Sequence, residues 1–395
     1  MLAVVDTHPV QYRAPVYRAL QQRFGIPVTA IYGGDFSVAG YRDDEFGATF
    51  AWDQDLLGGY TSTFLSRVDA GGAARPADVP ARGIVAALRR TAPDAVLLVG
   101  YSPFFHQAAF AATFRAGLPI LFRGETTDHA RQRGAAKRVL RDAALAALYR
   151  CCARLLYVGR RSHEHFRRLQ VAERDLVFSP YCVDTAAFDV GDAARAHWRT
   201  RTRRDLGIPD EAIVLLFAGK LTAAKGPQLL VRAAQRLAAW PRPIHVVFVG
   251  SGEMADTLAS ASDARVRVLV LGFKNQSELS RYYHAGDVLV LPSASDTWGL
   301  AVNDALHHGV PCVVSSAVGC APDLVHAGRT GETCEPGDID SLAAALERAR
   351  RLIGSADARA ACLETIARYT VDAAAQGIAD AYRAVVDRRG AAGAA

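Results

Sequence analysis

The chain has 395 residues, half of them hydrophobic and 22% charged. That length favours two domains, and the balance supplies packed cores and excludes long disordered segments. The formal charge is +6 and almost all basic side chains are Arg, with Lys only at 137, 220, 225 and 274.

From the N-terminus, Met1–Asp6 reads as a first strand rather than a signal peptide, because no basic region precedes it and Asp6, His8 and Pro9 break its apolar run. Further strands are expected at Val28–Tyr32, Ala95–Val99, Ile120–Phe122, Leu155–Val158 and Leu176–Phe178. Amphipathic helices are expected at Ala14–Phe24, Ile84–Thr91 and Arg131–Tyr149. The stretch Ala95–Phe114 is the most apolar, yet Ser102, Pro103, His106 and Gln107 make it unfit to cross a bilayer. Arg131–Arg168 holds eleven Arg or Lys against Asp142 and Glu164. Such a cluster is either a solvated helix face or a contact for an anionic surface. The seven cysteines are scattered without metal-binding spacing, and Cys151 and Cys152 are adjacent; a reducing cytoplasm is expected.

A polar stretch around Asp184–Arg201 marks the break between halves. The second half repeats the rhythm with strands at Ile213–Ala218, Ile244–Val249, Val266–Leu271, Val288–Leu291 and Cys312–Ser315, and one long helical pattern, Ala356–Arg389, closes it. Strand–helix alternation with buried-looking strands implies parallel α/β sheets, which bind ligands at the carboxyl ends of their strands.

Three segments of the second half carry chemistry. In the first, Phe217–Pro227, a strand ends at Gly219 and two lysines, Lys220 and Lys225, sit on a small-residue loop before a helix. That arrangement suits a diphosphate, although the order of a Walker A loop is absent. In the second, Val249-Gly250-Ser251-Gly252-Glu253 follows a strand, but no carboxylate stands at the next strand's end, which disfavours a dinucleotide site. In the third, Asp296 occupies a loop, Trp298-Gly299-Leu300 turns into a helix, and Asp304 lies inside that helix among small apolar neighbours. A carboxylate there needs partners, and ribose hydroxyls would serve. Eight helical residues span about 12 Å, beyond the roughly 5–9.5 Å of a glycosidase pair, so that alternative is disfavoured.

These motifs resemble the nucleotide-sugar domain of the retaining glycosyltransferase family 4 (glycosyl transferases group 1). They are Gly219-Lys220-Leu221 with Lys225-Gly226, Val249–Glu253, Gly272-Phe273 and Tyr282-Tyr283 before Ala285–Val288. Asp296 and Asp304 follow at E-x7-E spacing, then Gly309–Val314 and Gly319–Val325. The likeness covers roughly residues 210 to 340. This chain departs from the pattern in having Lys220 for Arg, Asp at both acidic positions, no glycine-rich loop after the first strand, and Arg123–Thr126 where relatives carry His-Asp.

The resemblance implies a GT-B architecture of two Rossmann-like, doubly wound α/β domains facing across a cleft. The expected bounds are 1–186 for the acceptor side, 187–365 for the nucleotide-sugar side, and 366–395 for a helix returning to the first domain. It implies transfer of a hexose-type sugar from a nucleotide diphosphate sugar, with retention, to a small-molecule, lipid-linked or glycan acceptor. Neither a metal nor another cofactor is expected, nucleic acid is not an expected partner, and Arg131–Arg168 is the candidate contact with an anionic membrane. Lys220, Lys225 and Asp296 are the implied catalytic residues. Gly219, Gly250, Gly272, Phe273, Trp298, Gly299, Leu300 and Asp304 join them around the donor, with His8, Arg123 and Glu125 on the acceptor side. The competing readings are a nucleotide-sugar epimerase of the same fold and a silent nucleotide-sugar-binding partner.

Overall fold

A computed structural model describes residues 1–43, 48–128, 134–237 and 240–393. Seven parallel strands form the first sheet in the order Thr61–Phe64, Val28–Tyr32, Leu2–Asp6, Ala95–Leu98, Ile120–Gly124, Arg154–Tyr157, Leu176–Phe178. The central strand shows why this sheet is covered on both sides. Leu2 and Val4 pack into one apolar cluster with helices Ala14–Gln22 and Val371–Gly393, while Ala3 and Val5 pack into another with Ile84–Thr91 and Phe104–Arg115. Alternate side chains of a strand point to opposite faces, so a run apolar at every position needs two covering layers.

Six parallel strands make the second sheet in the order Val266–Val270, Ile244–Val249, Ile213–Ala218, Val288–Leu291, Cys312–Ser315, Gly331–Cys334. Helix Asp192–Asp205 packs on helix Gln276–Ala285 of this second unit. It is pinned by Arg203, which donates to Asp287 at 2.8 Å; the same carboxylate accepts the Val214 amide at 2.8 Å. The polar break read in the sequence therefore contains the start of a second-domain helix.

Three further differences have local causes. Thr61–Phe64 and Gly331–Cys334 are edge strands missed by the search for apolar runs, and Tyr41–Asp43 pairs antiparallel with Ala48–Phe50 in a small separate sheet. The long C-terminal pattern is two helices, Ala356–Ile366 and Val371–Gly393. Thr370 starts the second by accepting the Ala373 amide through its hydroxyl at 3.1 Å. The first packs on Leu300–His307 in the second domain and the other on Ala14–Gln22 in the first. The helix expected at Arg131–Tyr149 runs Ala135–Arg150, with residues 131–133 outside the described set.

Candidate functional site

The carboxyl ends of both sheets open into one cleft of about 750 Å³. Thr7 and His8 follow the first strand, Val99 and Gly100 the strand Ala95–Leu98, and Glu125 and Thr126 the strand Ile120–Gly124. Facing them are Gly219, Gly250 and Leu291 from the second sheet.

On the second-domain wall, two turns are locked side by side. The Gly219 amide donates to Val249 O and the Leu221 amide to Ser251 O, each at 2.9 Å. Gly250 has φ +147°, and a Cβ there would stand 1.9 Å from the Gly219 carbonyl oxygen, so only glycine allows this approach. The loop then brings Lys220 and Lys225 to the cleft. Beside this loop, joined to it by the Ala294 amide donating to the Ala224 carbonyl at 2.9 Å, lies the N-terminus of helix Leu300–His307, whose cap residue is Gly299 at φ +94° and whose first turn has no side-chain cap. Open amides and a positive helix end make a cradle for an anion.

Asp304 shares a face of that helix with Leu300 and Ala301, at i, i+3 and i+4 spacing, and all three line the cleft. It is 6% exposed. The Tyr283 hydroxyl donates to its Oδ2 at 3.2 Å, while its Oδ1 is buried without a hydrogen-bond partner. Burial raises its pKa to about 7, against the pull of the Tyr283 bond. A buried acceptor with an open lone pair calls for a hydroxyl donor. Asp296 accepts the Lys225 ammonium at 2.6 Å through Oδ2 and the Trp298 amide at 3.2 Å through Oδ1. The lysine and the acid that the sequence assigned to different parts of a donor thus pair with each other.

The first-domain wall is a network around Asp6. Arg13 donates to both its oxygens, at 3.0 and 2.8 Å, and His106 Nε2 lies 3.7 Å away. Burial alone would raise the Asp6 carboxyl, but Arg13 and His106 hold it well below the usual range. His8 meets the Thr7 hydroxyl at 2.9 Å and packs on Phe36; burial pushes its pKa down to about 4, so the ring is neutral near pH 7. Glu125 accepts from the Tyr181 hydroxyl and from Thr297 at 3.4 Å, and so touches both domains.

Eleven of the residues singled out in the sequence therefore line one cleft: His8, Glu125, Gly219, Lys220, Lys225, Gly250, Phe273, Asp296, Gly299, Leu300 and Asp304. Three are placed elsewhere. Trp298 is 4% exposed, packs between Tyr181 and Tyr369, and donates its indole N–H to Asn303 at 2.8 Å. Arg123 spends its guanidinium on Ser179 and on the Pro180 carbonyl, bracing the segment that leads to the second domain. Gly272 sits behind Gly250, whose amide donates to its carbonyl at 2.9 Å. Residues not singled out as site residues join the lining: Arg13, Trp52, His106, Lys274 and Tyr283. Helix phase could have found Tyr283, seven residues after Gln276 and four after Leu279 on the cleft-facing stripe.

The basic cluster is less charged than its count implies. Arg141, Arg154, Arg160, Arg167 and Arg168 each lie within ion-pair distance of a carboxylate, several of them from Asp128, Glu173 and Asp175 outside the counted segment. Arg131 and Arg133 are outside the described residues. Lys137 and Arg138 are exposed beside Val139 and Leu140, which are 66% and 74% exposed. Among the described residues no helix is long and apolar enough to cross a membrane.

Residues 199–356 match the family profile Glycosyl transferases group 1. A D-inositol 3-phosphate glycosyltransferase of Stackebrandtia nassauensis is 35% identical over 228 residues, covering 53% of this chain and 49% of that protein. The chain spans about half the length of the curated relatives it matches. Among solved structures, a glycosyltransferase from Rickettsia africae superposes with TM-score 0.69 at 13% identity over 98% of both chains. Anabaena HepE, solved with UDP and glucose, superposes with TM-score 0.66 at 16% identity, covering 96% of this chain and 98% of its own. At these identities the likeness establishes the fold, which is GT-B.

Proposed function

We propose that the chain is a nucleotide-sugar-dependent glycosyltransferase that moves a hexose-type sugar to an acceptor hydroxyl with retention of anomeric configuration. The observation that carries this reading is Asp304: a buried carboxylate with one open oxygen, beside an uncapped helix N-terminus and two lysines. Ribose hydroxyls satisfy the carboxylate, and a diphosphate satisfies the amides and lysines. As the bond from the anomeric carbon to the phosphate oxygen breaks, the diphosphate leaves with the electron pair. Lys220, Lys225 and the helix N-terminus stabilise the charge that grows on it. The acceptor oxygen bonds to the same face of the anomeric carbon and gives its proton to the departing phosphate. Asp296 holds a hydroxyl of the transferred sugar, and His8 and Glu125 face the acceptor. These cations and amides take the part a metal would play, and the seven unpaired cysteines suit a reducing cytoplasm.

The test is a panel of UDP-, GDP- and ADP-sugars with polyol, lipid-linked and glycan acceptors, read as acceptor-dependent release of nucleoside diphosphate. An α-linked donor should give an α-linked product, at the same rate with and without EDTA. Absence of acceptor-dependent release across the panel would overturn the reading. An inverted product would overturn retention alone, and loss of activity in EDTA would overturn metal independence.

A peripheral contact with anionic membrane is a further part of the reading, now resting on Lys137 and Arg138 beside exposed Val139 and Leu140 rather than on the whole cluster. Basic residues near such a surface contribute about 1 kcal/mol each at moderate salt. The double change Lys137→Ala and Arg138→Ala should therefore weaken sedimentation with phosphatidylserine vesicles by about 2 kcal/mol. Wild-type protein that stays in the supernatant at low salt would reduce the cluster to a solvated face.

A further inference from the structure

The second-domain wall has a direction. Gln276, Leu279 and Tyr283 lie on the cleft-facing stripe of helix Gln276–Ala285, and Tyr283 holds Asp304. From Tyr283 back to Gln276 the helix climbs about 10 Å, leading away from the carboxylate toward Phe273. There the wall meets an aromatic side chain from the other domain. Trp52 lines the cleft with its ring centroid 6.4 Å from that of Phe273, the planes inclined at 59°.

The backbone around Trp52 is tied down across the cleft. Asn275 Nδ2 donates to the Ala51 carbonyl at 2.8 Å, and the Ser277 amide donates to Asp53 Oδ2 at 3.1 Å. Asp53 thus adds a carboxylate from the first domain to the first turn of helix Gln276–Ala285, where a negative charge is favoured. Both anchors flank Trp52, so its position is set by contacts with the second domain as well as by its own chain.

We propose that Trp52 is a donor-binding residue supplied by the first domain, and that with Phe273 it forms an aromatic slot for the nucleobase of a nucleoside diphosphate. This rests on the reading given under Proposed function. A flat ring held between two others needs about 7 Å between the outer planes, twice an ordinary carbon–carbon contact. The 6.4 Å between centroids at 59° is a tilted aromatic contact, so the two rings turn toward parallel and part slightly when a base enters between them. Because the anchors span the cleft, a base in the slot also fastens the two domains together.

Calorimetry with UDP, GDP and ADP, and with inorganic pyrophosphate as a probe without a base, tests the proposal. Trp52→Ala should weaken the preferred nucleoside diphosphate at least about five-fold, the lower end of what a base–aromatic stack contributes, and leave pyrophosphate unchanged. Trp52→Phe should keep most of the affinity. Binding should quench tryptophan fluorescence in the wild type, and Trp52→Phe should remove most of that quenching, since Trp240 and Trp298 are buried and Trp198, bonded to Asp189, does not line the cleft. Unchanged nucleoside diphosphate binding in Trp52→Ala, equal losses for pyrophosphate, or undiminished quenching in Trp52→Phe would overturn the slot and leave the transferase reading intact. Wild-type protein that binds none of the three nucleotides would overturn both.

Discussion

Lys225→Ala should lower affinity for the nucleoside diphosphate and the rate of transfer together, the rate by about 100-fold. Removing one donor to a developing oxyanion costs roughly 2.7–4 kcal/mol, and a charge-assisted hydrogen bond to the ground state contributes part of it. The ion pair with Asp296 makes the outcome more informative than a simple loss. Without ligand, Lys225 Nζ is 2.6 Å from Asp296 Oδ2, and Asp296 is also held by the Trp298 amide. Deleting the lysine leaves that carboxylate uncompensated beside the expected diphosphate. Two causes then compete: a lost contact to phosphate, or a newly exposed repulsion. The double variant Lys225→Ala/Asp296→Ala separates them. If Lys225 acts on the diphosphate, nucleotide binding stays weak in the double variant. Recovery to wild-type affinity would mean that the lysine only neutralises Asp296. Asp296→Ala alone should spare the free nucleoside diphosphate and depress transfer, because the sugar hydroxyl loses its acceptor.

The donor wall was legible in the sequence because each of its parts is local. A glycine at a strand end, a lysine a few residues on, and an acid one turn into a helix keep their relation whatever the rest of the chain does. The strands that read correctly, such as Ile213–Ala218 and Ile244–Val249, are buried on both faces and apolar but for His245. Thr61–Phe64 and Gly331–Cys334 lie at sheet edges, where one side of the ladder is open and a polar sequence is tolerated. Glu332 is buried there because Arg348 and Arg351 reach it from later helices and the Gly328 amide donates to it. Trp298 and Arg123 show the other limit. An aromatic residue next to Asp296 reads the same whether it faces ligand or core, and the core position depends on Tyr181 and Tyr369 from distant segments. The donors of Arg123 are likewise consumed by carbonyls more than fifty residues away. Trp52 carried no signal at all, since its meaning comes from Asn275 and Ser277 across the cleft.

For Asp304 the expected result is a pH dependence of binding near neutrality. Burial raises its pKa to about 7, so near neutrality the empty site holds a mixture of carboxyl and carboxylate. A ribose presents hydroxyls that donate, and these favour the ionised form. Binding should therefore lower the pKa, release protons near pH 7, and strengthen as pH rises from 6 to 8. The sign for folding is opposite. A carboxyl whose folded pKa lies above its unfolded value binds more protons in the native state, so its contribution to stability falls as pH rises from about 4 to about 7. A diphosphate also titrates in this range, with a second ionisation near 6. The comparison with Asp304→Asn removes that term, because the variant keeps the ligand's own ionisation and loses the carboxylate. Asp304→Asn should bind more weakly at pH 8 by roughly 1–3 kcal/mol, the cost of losing one partner of a buried hydrogen bond, and much less so at pH 6. Calorimetry in two buffers of different ionisation enthalpy reads the released protons directly. Equal proton release and equal affinity in the two proteins would show that Asp304 does not meet the ligand, whereas equal release with an affinity gap independent of pH would show that it meets the ligand without changing its charge.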